Sequence, residues 1–147
     1  MHPKFQRADE LSRQVIGAAI EVHRLKGPGL IESIYEKCLM RELCLQNIPA
    51  EQQVVVPVEY KGFVFDEPLK FDVFVDGCLI AELKAVTEVL PIHKAQLLSY
   101  MKLMDAPLGL LINFHELRLV DGVRRMILPG ADGKPSKGNP IEGSQEP

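Results

Sequence analysis

Residues 71–85 read "FDVFVDGCLIAELKA", two short apolar strands joined at Asp76-Gly77, with Asp72, Glu82 and Lys84 set into them. Core strands avoid charge, because a buried charge is costly unless it is paired or bound to a metal. Side chains alternate along a strand, so Asp72, Phe74 and Asp76 share one face of the first strand, and Ile80, Glu82 and Lys84 share one face of the second. The turn decides whether the two sets meet. A two-residue turn at Asp76-Gly77 pairs 72 with 81 and sends Asp72 and Glu82 to opposite faces. A three-residue loop of Val75, Asp76 and Gly77 pairs 72 with 80 and gathers Asp72, Glu82 and Lys84 on one side. Such a loop favours glycine in the left-handed region at its last position. If the charges act together, the bulged turn is expected, with a positive φ at Gly77.

Two converging carboxylates repel, and one tends to keep its proton. A hard divalent cation relieves this, because Mg²⁺ takes oxygen ligands, often one or two carboxylates plus waters and phosphate. A lysine two residues beyond Glu82 lies on the same face, where it can stabilise charge on a phosphate or on the attacking hydroxide. The trio therefore fits metal-assisted phosphodiester hydrolysis. It also fits a solvated strand face carrying an ion pair.

Upstream, residues 8–25 place Leu11, Val15, Ala18, Val22 and Leu25 at steps of three and four, the signature of an amphipathic helix. "KGPG" at 26–29 ends it. A second helix is expected from about 30 to 46. Within it, Gly29, Glu32 and Tyr35 form G-x-x-E-x-x-Y. Glu32 falls in the first turn, where a carboxylate also suits the helix dipole, and Tyr35 also suits a core. Next comes "QVVVPVEYKGFVF", a strand, a turn at Lys61-Gly62 and a short return. Pro57 cannot donate to a ladder, so this strand is expected at an edge or at a bulge.

Downstream, "PIHKAQLLSYMKLM" at 91–104 is expected to be a helix with Pro91 near its start. His93, Gln96 and Tyr100 lie along one face of it, as phosphate-directed donors or as a plain polar edge. "LGLLINF" at 108–114 reads as a strand buried on both faces. "LRLVDGVRRMIL" reads as a last hairpin turning at Asp121-Gly122. Its Arg118, Arg124 and Arg125 suit a solvated basic face better than phosphate contacts. From 129 to 147 the chain is Gly, Pro, Ser and charge, expected as a disordered tail after one domain at 1–128.

The bulk numbers agree with one globular domain. The chain has 147 residues, 46% hydrophobic and 25% charged, with a net charge of -3. That charge speaks against a broad nucleic-acid coat but permits a local basic groove. No run approaches the roughly 20 apolar residues that span a bilayer. The start, "MHPKFQRADE", lacks a secretory h-region. Cys38, Cys44 and Cys78 lie within apolar segments, expected as buried free thiols in the cytoplasm, with no zinc or iron–sulfur spacing.

Taken together, "GPGLIESIYEKCL", Asp72, "AELKA" and "HKAQLLSY" resemble, in order and spacing, the GxxExxY proteins, a RecB-like branch of the PD-(D/E)XK nuclease superfamily. The resemblance covers roughly residues 8–127 and extends to "LGLLINF" and "DGVRR". It implies an α/β fold: a PD-(D/E)XK nuclease-like αβββαβ core whose mixed central sheet is flanked by helices. It implies a metal-dependent deoxyribonuclease in which Glu32, Asp72 and Glu82 face Mg²⁺ (or Mn²⁺) and Lys84 is the catalytic lysine. Gln96 and Tyr100 match the Q-x-x-x-Y helix beside such sites, and with His93 and Tyr35 they are the expected substrate contacts. Phe71 stands where the superfamily often has proline before the aspartate. The expected partner is nucleic acid, DNA in particular, with no membrane. A homodimer or larger assembly is compatible with the apolar first helix and the edge strand. The alternative is a catalytically silent module that keeps the fold to bind nucleic acid or a protein.

Overall fold

The computed structural model describes residues 1–135, with the backbone alone at 67 and 68. The elements run α1 (Phe5–Lys26), α2 (Glu32–Leu45), β1 (Ala50–Tyr60), β2 (Phe63–Val75), β3 (Leu79–Lys84), α3 (Pro91–Met104), β4 (Leu108–Asn113) and β5 (Val123–Ile127). The five strands form one mixed sheet in the order β1-β2-β3-β4-β5. Only β3 and β4 are parallel, joined by the crossover helix α3. The α/β architecture with a mixed sheet, expected from the sequence, is the one found. No described helix is long and apolar enough to cross a membrane.

The sheet has a core on each face. Leu11, Val15, Ala18 and Val22 of α1, with Tyr35, Leu39 and Leu43 of α2, pack on Val73, Val75, Leu79, Ala81, Leu83, Leu108, Leu110 and Ile112. On the other face Leu97, Leu98 and Met101 of α3 cover Val56, Phe71, Ile80 and Leu111. β4 is buried along its whole length, as a strand clad on both faces must be. Gly109 lets α3 come close, since a Cβ there would stand 2.7 Å from Met101 Sδ.

The outer ribbon changes sides of the sheet. On β1, Ala50 packs against the first core, whereas Val54 and Val56 belong to the second. On β2, Val73 and Val75 lie in the first core and Phe71 in the second. Strict alternation would put each set on one face. Both strands switch at the same level, at Gln53 and its neighbour Asp72. Gln53 has a φ of 53°, the left-handed value that makes the switch in β1. β2 pairs with β3 only over 73–75 and 79–81. Beyond Asp72 the β1–β2 ribbon peels away toward α3.

Three expectations are corrected. The hairpin loop is Asp76, Gly77 and Cys78, because Val75 pairs with Leu79. The register therefore sets Asp72 opposite Glu82 rather than opposite Ile80. Gly77 has the expected positive φ of 64°, but Asp76 shares it at 49°, and the Cys78 amide bonds the Val75 carbonyl. The last hairpin does not turn at Asp121-Gly122: Leu119–Gly122 is a single 3-10 turn, and β5 pairs directly with β4. Of the thiols, Cys78 is buried and Cys38 half-buried, but Cys44 is exposed. The turn at Lys61-Gly62 and the β1 irregularity at Pro57, between Val56 and Val58, are as expected. Of the expected tail, 129–135 forms turns in which the Ala131 carbonyl accepts the His2 amide, and 136–147 lies outside the described residues.

Candidate active site

Where the ribbon leaves the sheet, three elements, β2, β3 and α2, bring acidic groups together. Asp72 and Glu82 stand just past the last β2–β3 pair, Val73 with Ala81, where the two strands part. The Asp72 amide donates to Glu82 Oε1 at 2.7 Å, and the Leu83 amide donates to Asp72 Oδ2 at 2.8 Å. The two carboxylates replace the carbonyls that a continuing ladder would have supplied, so the strands separate without orphaning either amide. Glu82 is only 7% exposed. Burial first, and the Asp72 charge second, push its carboxyl up to about 7; Lys84 draws it back and Glu32 adds to the rise.

Glu32 and Lys84 thus both act on Glu82 through their charge. Lys84 is the half-buried last residue of β3, where parallel pairing sets it beside Asn113. Its backbone is held firmly: the Phe114 amide donates to the Lys84 carbonyl at 2.8 Å. The Asn113 side chain clamps the chain that follows, accepting the Val86 and His115 amides and donating to the Val86 carbonyl.

The G-x-x-E-x-x-Y segment builds the approach from α2. Tyr35 is fully buried and stacks on Phe114 with centroids 4.4 Å apart. Its hydroxyl donates to the Gly27 carbonyl at 2.5 Å and accepts the Leu30 amide at 3.1 Å. Tyr35 therefore fastens the α1–α2 loop that delivers Glu32, which is exposed at the start of α2. The expectation that Tyr35 contacts substrate is corrected, since it has no exposed surface.

On α3, Tyr100 is half-buried with its ring 5.9 Å from Phe71. Burial raises the Tyr100 hydroxyl, and the Glu82 and Asp72 charges raise it further, so it stands in the same electrostatic field. Gln96 is exposed one helical turn before it. His93 is half-buried and caps α3, its Nδ1 accepting the Leu90 amide at 3.0 Å. That bond takes one ring nitrogen for the fold. Of the arginines, Arg125 pairs with Asp9 of α1.

Two residues of the cluster escaped the sequence reading. Glu36 is buried, one turn after Glu32 on the same helix, and Gln53 and Asp72 fall between the paired positions Gln52–Val73 and Val54–Phe71. Gln53 Nε2 donates to Glu36 Oε1 at 2.6 Å and to Asp72 Oδ1 at 3.3 Å. Burial is the main cause raising the Glu36 carboxyl; the Gln53 bond opposes it and the Asp72 charge adds to it. The i, i+4 spacing of Glu32 and Glu36 was the available signal.

The donor set suits a hard divalent cation: carboxylate oxygens, with the Glu82 and Glu36 carboxyls both raised, chiefly by burial. Among the described residues no ion pair engages Asp72, Glu82 or Glu36. Nor do three ligating side chains stand in a metal-holding group among them.

Comparison with known proteins follows the same line. A family model described as the PD-(D/E)XK nuclease superfamily matches residues 9–126. A solved structure titled "Crystal structure of SSO0001" is 23% identical, with a TM-score of 0.51, covering 66% of this chain and 50% of that one. The chain thus spans about half the length of that structure, and the likeness is one of fold. No curated protein matches.

Proposed function

Because the chain belongs to the PD-(D/E)XK nuclease superfamily, we propose that it is a metal-dependent nuclease hydrolysing phosphodiester bonds in DNA. The observation that carries this reading is the facing pair Asp72 and Glu82, with Lys84 two residues further along the same strand. Asp72, Glu82 and Glu32 would hold Mg²⁺ or Mn²⁺. The cation would supply Lewis acidity toward a phosphate oxygen. Lys84 stabilises the charge that builds on the phosphate as the bond to the leaving oxygen breaks. Gln96 and Tyr100 orient the strand from α3, and the ring nitrogen of His93 left free by its cap can donate to a phosphate. Glu82, whose carboxyl burial raises to about 7, would give up its proton to hold the cation.

Free cysteines at 38, 44 and 78 support a cytoplasmic setting. The exposed Tyr60, Phe63 and Val64 on the edge ribbon support self-association as a dimer or larger assembly. A silent binding module is the second reading, favoured by one observation: both central carboxylates already serve the fold through strand amides.

A cleavage assay separates the two. Wild type with Mg²⁺ or Mn²⁺ should cut single- or double-stranded DNA. Lys84→Ala should lose roughly a hundredfold or more in rate while still binding DNA. Binding without cutting by wild type, across both substrates and both ions, would favour the silent module.

A further inference from the structure

We propose that Gln53 is a positioning residue, whose side-chain amide ties Asp72 to Glu36 of α2 and so fixes the Asp72 carboxylate where the sheet divides. The proposal rests on the nuclease reading for its purpose, but its geometry stands alone. One –NH₂ group offers two donors, and two carboxylate oxygens receive them, at 2.6 Å from Glu36 and 3.3 Å from Asp72. The amide oxygen could not take that place without facing two acceptors. With the Leu83 amide on Oδ2, both oxygens of Asp72 are then held.

The backbone is unusual as well. Five non-glycine residues among those described have a positive φ. Asn47 and Asp105 follow helices, and Lys61 and Asp76 sit in hairpin turns. Gln53 alone lies inside a strand, where L side chains rarely adopt this conformation. A backbone that merely needed to switch faces would be served best by glycine, which adopts φ > 0 without steric cost. A glutamine there keeps its strain for something the side chain does.

That contrast supplies the test. Gln53→Gly removes the side chain while relieving the backbone. Its thermal midpoint should stay level or rise. Hydrogen exchange at the Leu83 amide should speed up roughly tenfold, the effect of loosening one such bond, while the core amide of Leu110 stays unchanged. Mn²⁺ affinity, read by calorimetry, should weaken. Glu36→Ala, which removes the other anchor, should speed Leu83 exchange likewise. Unchanged Leu83 exchange in both variants would overturn the proposal. Wild type that fails to bind Mn²⁺, with Leu83 exchange still responding to both substitutions, would instead count against the nuclease reading and leave the positioning role standing.

Discussion

Asp72 and Glu82 face each other across the point where β2 and β3 part, each carboxylate bonded to an amide of the other's strand. The arrangement joins fold and candidate chemistry in one pair of side chains. Burial, with the neighbouring Asp72 charge second, raises the carboxyl of Glu82 to about 7. The pair also marks where the outer ribbon begins its move to the α3 side.

The raised Glu82 carboxyl makes stability depend on pH. Between its ordinary value of 4.5 and about 7, the native state holds a proton that the unfolded chain has released. Stability from this group is thus full below pH 4.5 and is lost as pH rises through 7. The span corresponds to on the order of 3 kcal/mol. Urea unfolding of wild type and Glu82→Gln, at pH 5 and pH 8, measures it. Glu82→Gln, which can still accept the Asp72 amide, should be the more stable of the two at pH 8 and show a flatter profile.

Tyr35 should matter through its hydroxyl. Tyr35→Phe keeps the stack on Phe114 but leaves the Gly27 carbonyl and the Leu30 amide without their partner. A loss of roughly 1–3 kcal/mol is expected in denaturant unfolding. Amide exchange should rise in the 27–31 loop first, since that is the segment the hydroxyl fastens.

Gly122 is a packing constraint beside the site. A Cβ there would stand 2.3 Å from the Asn113 carbonyl oxygen, which is backbone and cannot step aside. Gly122→Ala should cost about 2–3 kcal/mol. It should also disturb the Asn113 clamp on Val86, so the exchange rate of the Val86 amide is the local readout.

Much of this was legible in the chain itself. Apolar periodicity placed α3 at its observed limits and marked β4 as a strand buried on both faces, because helix and strand periods are properties of single segments. Gly77 signalled a turn with positive φ, but its loop is displaced by one residue, since Asp76 also enters the left-handed region. The pairing of Asp72 with Glu82 follows from that displacement. The spacing of Glu32 and Glu36 placed the two acids on one helix face, but the meeting of Glu36 with Gln53 could not be read, because it depends on a face switch in β1 and on the docking of α2, both tertiary events. Tyr35 was half-read: its place in the motif was visible, but its inward direction depends on Phe114, nearly eighty residues away.

Calorimetric titration with Mn²⁺ tests the central claim most directly, comparing wild type with Asp72→Asn at pH 7. Asp72→Asn keeps an oxygen for the Leu83 amide and removes the charge. Wild type should bind the ion with release of protons, and Asp72→Asn should bind at least roughly tenfold more weakly. Equal affinity in the two proteins, or no binding by wild type, would contradict the assignment of Asp72 and Glu82 as a cation-holding pair.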